Sequence, residues 1–193
     1  MKDNEVRQYG ESTDQISAHH VKRYQFAAAM ISTPAIVVDV ACGCGYGSRI
    51  LHDSGSRVIG IDISGEAIEF AKKHYPGPAY ICARADVGHY GAFDAVVSLE
   101  TIEHIENPLG LLRASHGKML IASVPNEVLY PFSKELFVGD EYPHFRHYTP
   151  EQFDALLGEA GYTVIERWCQ RDKARCNLTP GVDGKFLIYV CSG

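Results

Sequence analysis

The chain has 193 residues, which is enough for one well-buried domain but short for two. Hydrophobic residues make up 46% of it and charged residues 22%, as in an ordinary globular protein. The formal net charge of -6 counts against a large nucleic-acid footprint, because such footprints normally need a basic face. Nucleic acid is therefore disfavoured as a partner, although a local basic patch stays compatible with the sequence.

Targeting and redox features are also indicated by the sequence. There is no run of about 18 apolar residues, so we expect no membrane span. The charged N-terminus has no apolar stretch behind it, so we expect no signal peptide and a cytoplasmic location. None of the six cysteines forms a C-x-x-C pair, so we expect reduced thiols rather than a structural zinc site: Cys42, Cys44, Cys82, Cys169, Cys176 and Cys191.

The first elements lead into a glycine-rich turn. Residues 1–15 are polar, residues 16–30 have helical periodicity, and the β-branched run at 36–40 predicts a buried parallel strand. Three alternating glycines follow, and a helical pattern then begins at Ser48. Glycines let a backbone approach a ligand closely, and a helix N-terminus offers unpaired N–H groups. By itself the pattern is equally compatible with an ordinary tight turn.

An acidic residue strengthens the nucleotide-type interpretation. Asp62 ends a second apolar strand at 58–62, which lies 19 residues beyond Gly43. That is close to the spacing of about 20 at which an acid reaches a ribose diol. The two strands, the glycine turn and the acid together predict a nucleotide-like cofactor.

The middle of the chain alternates helices and strands. Ser64 is a plausible N-cap for a helix that ends near His74, before a short strand at 79–82. An all-apolar strand at 93–99 is followed by the polar stretch 100–104. A short helix at 107–114, with Pro108 near its start, then precedes a fifth strand at 118–124. This alternation is typical of a parallel sheet.

The C-terminal part departs from this alternation of helices and strands. Residues 126–148 are rich in aromatic side chains and predict a lid or substrate loop. Thr149, Pro150 and Gln152 form a capping-box start for a helix that ends near Gly161. Two final strands, at 162–169 and 185–191, are joined by the polar segment 171–184 and should pair as a hairpin at one edge. We therefore expect an α/β, Rossmann-like, doubly wound seven-stranded sheet with an antiparallel C-terminal hairpin.

Several motifs in this order resemble those of the class I S-adenosylmethionine-dependent methyltransferases, over residues 20–161. The resemblance is greatest to the branch that contains the ubiquinone-biosynthesis O-methyltransferases. Residues 38–45 look like the family's first motif, 59–64 its second, 85–87 its adenine-binding segment and 93–104 its fourth-strand motif. The resemblance implies S-adenosylmethionine as cofactor, with Asp62 on both ribose hydroxyls. It also implies a cofactor site made of Arg23, Asp39, Ala41, Cys42, Gly43, Gly45, Asp62, Ile63, Asp86, Val87, Leu99 and Glu100.

Two positions depart from the family pattern. Ala41 stands where the first motif usually has glycine, and we expect this small residue to be tolerated. The stretch between the fourth and fifth strands is short, and its usual Pro-Gly-Gly turn is replaced by residues 115–117. That leaves the helix on this face, and any dimer contact it makes, open.

The candidate catalytic residues follow the fourth strand. Glu100, Glu103 and His104 are three and four apart, which would place them on one helical face. We expect His104 to be the base, because a histidine pKa lies near neutrality without tuning. A polar helix start, with carboxylates favoured by the helix dipole, is the alternative interpretation.

Two further histidines precede the capped helix, His144 and His147. Loop histidines are often solvated or capping, but their place beside the lid favours a functional role, and His144 is the second catalytic candidate. The E-x-x-E-H group with a distal histidine also resembles the metal site of small-RNA 2′-O-methyltransferases. The resemblance implies Mg²⁺, Mn²⁺ or Zn²⁺ on Glu100, Glu103, His104 and His144. Because many relatives share these letters without a known metal, metal binding is left open.

At the N-terminus, Arg23 and Tyr24 resemble a helix pair that closes over the cofactor, although Arg23 is equally readable as a surface cation. We expect one domain over 1–193, with residues 1–34 covering the cofactor and 126–148 forming the lid. The expected reaction is methyl transfer to a hydroxyl of a small-molecule substrate by a monomer or homodimer. The alternatives are a nucleic-acid or protein methyltransferase and a catalytically silent binder of S-adenosylmethionine.

Overall fold

The fold is given by a computed structural model that describes residues 8–85, 91–117, 119–138, 142–171 and 176–193. The strands are β1 Ile36–Val40, β2 Arg57–Asp62, β3 Ala79–Cys82, β4 Ala95–Leu99, β5 Met119–Pro125, β6 Thr163–Gln170, β7 Leu178–Pro180 and β8 Phe186–Ser192. The helices are α1 Ala18–Met30, α2 Tyr46–Asp53, α3 Gly65–His74, α4 Pro108–Ala114 and α5 Pro150–Glu159. Within the described residues the strands form one sheet, in the order β3-β2-β1-β4-β5-β8-β6-β7.

The first five strands pair in parallel, and the last three pair antiparallel. Strand β1 lies between β2 and β4, so the direction of winding reverses there. A crevice outside the carboxyl ends of the strands forms at such a reversal, and ligands bind in it. The predicted α/β, doubly wound fold is confirmed, and its reversal point places the site.

The core has two halves, one on each face of the sheet. Alternate residues of a strand point to opposite faces, so Val38 packs with the α4 and α5 half while Val37 packs with the α1 and α2 half. The same alternation separates Leu120 from Ile121 on β5. These side chains are fully buried, which is why the parallel strands read as continuous apolar runs.

The C-terminal strands are arranged differently from the expected seven-stranded edge hairpin. Strands β6 and β8 pair antiparallel, as predicted, but β8 lies between β5 and β6 rather than at the edge. An eighth strand, β7, lies within the segment predicted as a loop, pairs with β6 and forms the edge. Because β7 has only three residues and contains Pro180, its sequence carries little strand signal.

The helix starts that the sequence predicts agree with the structure. The Thr149 hydroxyl accepts from the Gln152 amide, and the Gln152 side chain accepts in return from the Thr149 amide, which completes the predicted capping box. The Ser64 and Asn107 side chains cap α3 and α4 by accepting from the Ala67 and Gly110 amides respectively. Among the described residues, no helix is long and apolar enough to cross a membrane, as the sequence indicated.

The predicted lid at 126–148 is pinned at its base. Asn126 and Tyr148 form a β-bridge, and the Glu127 amide donates to the Tyr148 carbonyl at 2.9 Å. A one-turn 3₁₀ helix, Lys134–Phe137, lies inside the loop. The Phe145 amide donates to the Glu103 carbonyl at 2.8 Å, so the far end of the loop is tied to the segment after β4.

A contact between α1 and α2 gives the first testable prediction. A Cβ at Gly47 would lie 2.1 Å from the Tyr24 ring, which must then move. Glycine to alanine in a helix ordinarily stabilises by about 0.5–1 kcal/mol. For Gly47→Ala we expect instead a loss of about 1–3 kcal/mol in the free energy of unfolding, because the added methyl group would overpack the contact with Tyr24. Urea denaturation measures this change.

The matched control is Gly158→Ala in α5, where an added Cβ meets nothing within 4 Å. This variant should be neutral or stabilised by up to about 1 kcal/mol, because only the helix propensity changes. Equal effects at the two positions would contradict the packing that the structure gives to Tyr24.

Candidate active site

A cavity of about 860 Å³ opens at the carboxyl ends of β1, β2 and β4. Its walls include Cys42 and Gly43 after β1, Asp62 at the end of β2 and Glu100 after β4. The N-terminal segment and the lid complete it, through residues such as Tyr24 and Tyr142 respectively. The volume lies in the usual range for small-ligand sites.

The turn after β1 is held by the acid at the end of β2. Gly43 and Gly45 have φ values of 55° and 87°, which glycine adopts readily. The Gly43 amide donates to Asp62 Oδ2 at 2.8 Å, and the Ser64 amide donates to Oδ1 at 2.9 Å. A carboxylate has about four acceptor positions, so Asp62 can hold this turn and still accept ligand hydroxyls.

Asp39 lies behind the cavity wall. It is fully buried, and its carboxylate accepts from the Ser48 hydroxyl at 2.6 Å and the Tyr24 hydroxyl at 3.1 Å. Burial raises the pKa of Asp39 to about 7, against the lowering effect of both hydroxyls. Asp39 therefore supports α1 and α2 behind the site, and like Gly45 and Arg23 it does not line the cavity itself.

Two cavity residues other than glycine have left-handed backbone conformations. Ala41 follows β1 with φ 57°, and Glu100 follows β4 with φ 53°. Such a conformation costs a residue with a Cβ about 1–2 kcal/mol, and strain of this kind collects at functional sites. Ala41 is small enough to fit, as predicted from its size, but a glycine there would also relieve the left-handed backbone conformation.

Glu100 contacts Ser123 and Arg23, instead of sharing with Glu103 and His104 the helical face that its spacing suggested. Its Oε1 accepts from the Ser123 hydroxyl at 2.6 Å and lies 3.4 Å from Nη1 of Arg23. Arg23 is buried, so it is not a surface cation, and its Nε donates to Gln170 at 2.9 Å. Glu100 Oε2 is buried and accepts no hydrogen bond from any described residue. The cavity wall thus presents a carboxylate oxygen that a cationic ligand group can use.

The predicted helical face at 100–104 does not form. The left-handed Glu100 ends the strand, and only Ile102–His104 makes a 3₁₀ turn. Glu103 and His104 instead meet His144 from the lid. Potential ligand atoms of Glu103, His104 and His144 all lie within 4.8 Å of one another. The structure therefore joins three of the four predicted metal ligands and places Glu100 elsewhere.

The imidazoles in this cluster are shielded from solvent. Burial lowers the pKa of His104, although hydrogen bonding to the Pro143 carbonyl opposes the shift. Burial, followed by His104 and His147, lowers the pKa of His144 far below its usual value. Neutral imidazoles can accept a proton or bind a cation, so both candidate chemistries remain compatible with this cluster.

The other predicted residues separate into two groups. Ile63 and Leu99, like Cys42, line the cavity. Asp86 and Val87 lie outside the described residues, so their contact with adenine stays a prediction. Ser123, which holds Glu100, was not predicted, because a serine inside an apolar strand carries no functional signal. His147 was not among the predicted site residues either, although its spacing of three from His144 is a recognisable cue.

Comparison with known proteins shows which domains the chain is similar to. Residues 38–118 match the model of a methyltransferase domain family. The ubiquinone biosynthesis O-methyltransferase of Xanthomonas campestris pv. campestris is 31% identical over 133 residues, which cover 62% of this chain and 55% of the relative. The chain spans about half the length of such curated relatives, with 47% for the mitochondrial enzyme of Arabidopsis thaliana.

Solved structures agree on the fold. An S-adenosylmethionine-dependent methyltransferase of Thermotoga maritima has a TM-score of 0.73 at 17% identity, covering 90% of each chain. Magnesium protoporphyrin IX methyltransferase of Synechocystis PCC 6803, solved with bound SAH, has a TM-score of 0.69 at 17% identity and covers 96% of this chain and 89% of its own. The solved structures therefore support the α/β fold of this chain, and residues 38–118 are similar to a methyltransferase domain, in agreement with the predicted cofactor, S-adenosylmethionine.

Asp39 gives a prediction about pH. The folded protein keeps a proton on this carboxyl up to about pH 7, whereas the unfolded chain releases it near 3.8. The stabilisation is complete below pH 3.8 and is lost as the pH rises through 7. Between pH 5 and 8, the free energy of unfolding should therefore fall by about 2–3 kcal/mol more in the wild type than in Asp39→Asn. Urea denaturation at the two pH values measures the difference.

Asp62 gives a prediction about the cofactor. Asp62→Ala removes an acceptor for ligand hydroxyls and also releases the Gly43 turn. We expect S-adenosylmethionine affinity to fall by about 1.5–3 kcal/mol, or roughly ten- to a hundredfold, because hydrogen bonds to charged groups are the stronger kind. Titration calorimetry measures it, with Asp53→Ala as the surface control. Unchanged affinity in Asp62→Ala would remove the ribose assignment.

Proposed function

We propose that the protein transfers a methyl group from S-adenosylmethionine to a hydroxyl of a small molecule. The supporting observation is that one cavity is lined by the Gly43 turn, Asp62 and Glu100 as well as by His104 and His144. The first group suits a nucleoside with an amino-acid end, and the second suits a hydroxyl that must lose a proton. A silent cofactor-binding protein would have no need for the second group.

The cofactor has recognisable partners among these residues. Asp62 would accept from the ribose hydroxyls, and the orphaned Glu100 Oε2 would accept from the ammonium of the methionine part. Gln8, Tyr9 and His20 line the same cavity, which supports the proposal that residues 1–34 cover the cofactor. When bound, S-adenosylmethionine supplies a methyl group on a positively charged sulfur, which leaves as a neutral thioether.

His104 is the proposed base. Because its Nδ1 lies 3.3 Å from the Pro143 carbonyl, which can only accept, Nδ1 carries the proton and Nε2 keeps a lone pair. Its lowered pKa keeps this lone pair available at neutral pH. The acceptor hydroxyl would give its proton to Nε2 as its oxygen bonds to the methyl carbon and the carbon–sulfur bond breaks.

Glu103, His104 and His144 are also a proposed site for a divalent cation. The donor set of two imidazoles and one carboxylate fits Zn²⁺ or Mn²⁺ better than Mg²⁺, which prefers oxygen ligands. Glu100, which would have made the set more oxygen-rich, instead pairs with Arg23. A bound cation would occupy the Nε2 lone pair of His104, so His104 would either accept the proton itself or hold a cation that lowers the pKa of the substrate hydroxyl.

The lid favours a small aromatic or apolar acceptor. Phe137, Tyr142 and Phe145 line the cavity from the lid, and Ile105 lies beside them. Flat apolar side chains of this kind surround aromatic rings well. The relatives named as ubiquinone biosynthesis O-methyltransferases are consistent with a hydroxylated small-molecule acceptor.

The function is tested with His104→Ala on a panel of phenols and catechols, by release of S-adenosylhomocysteine. We expect turnover to fall by about 10²–10⁴-fold, the usual size of a general-base contribution, while S-adenosylmethionine affinity changes by no more than a few fold. The control is His116→Ala, an exposed imidazole outside the cavity, which should behave as wild type. Normal turnover in His104→Ala would contradict the proposed base.

The metal is tested separately, by titrating Mn²⁺ and Zn²⁺ into the wild type and Glu103→Gln in a calorimeter. Binding to the wild type, with weaker binding to the variant, supports the metal site. A wild type that binds neither ion, and whose turnover resists chelators, leaves His104 as a base acting without a metal.

A further inference from the structure

A chain of hydrogen bonds runs from the lid backbone to the imidazole cluster. His147 Nδ1 lies 2.6 Å from the Tyr130 carbonyl oxygen, and His147 Nε2 lies 2.8 Å from Nδ1 of His144. Both imidazoles are nearly inaccessible to solvent, with exposures of 5% and 6%. Each partner is therefore fixed by the fold of the lid, and the protons in the chain can be assigned from the partners.

The assignment allows one arrangement for neutral rings. A carbonyl oxygen only accepts, so His147 Nδ1 carries a hydrogen. A neutral His147 then has a bare Nε2, and the one hydrogen between the rings must belong to Nδ1 of His144. A neutral His144 protonated at Nδ1 has its lone pair on Nε2. Burial disfavours the imidazolium form that would reverse this order.

We propose that His147 is a positioning residue that fixes His144 in its Nδ1–H tautomer and so presents the His144 Nε2 lone pair to the site. The proposal rests on the proposed function only in that Glu103, His104 and His144 act together there. His104 is held in the same tautomer by the Pro143 carbonyl. The lid backbone therefore sets both imidazoles so that each offers Nε2, which suits a shared cation or a shared proton.

The proposed positioning role of His147 has to be distinguished from a role in packing the lid. The His147 ring meets Phe132 and Phe137 edge-on at centroid distances of 5.5 and 6.0 Å, and this aromatic packing would stabilise the lid whatever the tautomer. His147→Phe keeps most of the ring packing but removes both hydrogen bonds. His147→Gln can restore both, because its amide group donates to the carbonyl while its oxygen accepts from His144.

The direct test is the tautomer itself, measured by long-range ¹H–¹⁵N correlation spectra of the histidine rings. We expect both His144 and His147 to be protonated at Nδ1 in the wild type. In His147→Phe, His144 should lose this fixed state and acquire an Nε2–H population, and His147→Gln should recover it. A wild-type His144 protonated at Nε2 would overturn the proposal without any reference to metal or activity.

The second test is Mn²⁺ affinity by calorimetry, with thermal unfolding as a check on folding. Loss of a group that orients a metal-binding histidine usually costs about 10–100-fold in affinity. We expect that loss in His147→Phe and recovery to within a few fold in His147→Gln. Wild-type affinity in a folded His147→Phe would overturn the positioning role. If the wild type binds neither Mn²⁺ nor Zn²⁺, the metal part of the proposed function fails, while the ring spectra still decide the role of His147.

Discussion

The buried Arg23 guanidinium is the constraint on which the cofactor side of the structure depends. Moving a charge out of water is costly unless it is paired, and Arg23 meets Glu100, Gln170 and the ring face of Phe186, 4.1 Å from its guanidinium carbon. These contacts join α1 to the end of β4, to β6 and to β8. Because Glu100 also lines the cavity, the docking of the N-terminal helix and the shape of the cofactor site are held by the same charge pair.

Several features that oppose folding lie at the cavity or directly behind its wall. Ala41 and Glu100 have left-handed backbones, and Asp39 is a fully buried carboxyl whose pKa is raised by the loss of water. Replacing any of these three residues with a better suited one would remove its cost to folding. Together, however, they shape the turn after β1 and the bend after β4. The surrounding sheet, with its two apolar cores, supplies the stability that offsets them.

Local patterns in the sequence predicted the glycine turn and the acid that line one part of the cavity. The strand, glycine turn and acid at 36–62 are contiguous, so composition and spacing place Gly43 beside Asp62. Long-range pairing was not predictable in this way. Nothing near β7 signals that it joins β6, and nothing near Glu100 signals that Arg23 and Ser123 will hold it. His144 was predicted from its place beside the lid and from its resemblance to a metal motif, but its contact with His147 depends on how the lid folds.

The E-x-x-E-H pattern shows why helical spacing was misleading here. In a helix, Glu100 and Glu103 would share one face and one ligand. The left-handed φ at Glu100 turns the chain between them, so Glu100 faces Arg23 while Glu103 and His104 face His144. Glu100 therefore lines the cavity, whereas Glu103, three residues further on, is fully buried and does not line it. The left-handed backbone at Glu100 is the physical means by which one short segment contributes both to the pair with Arg23 and to the cluster with His144.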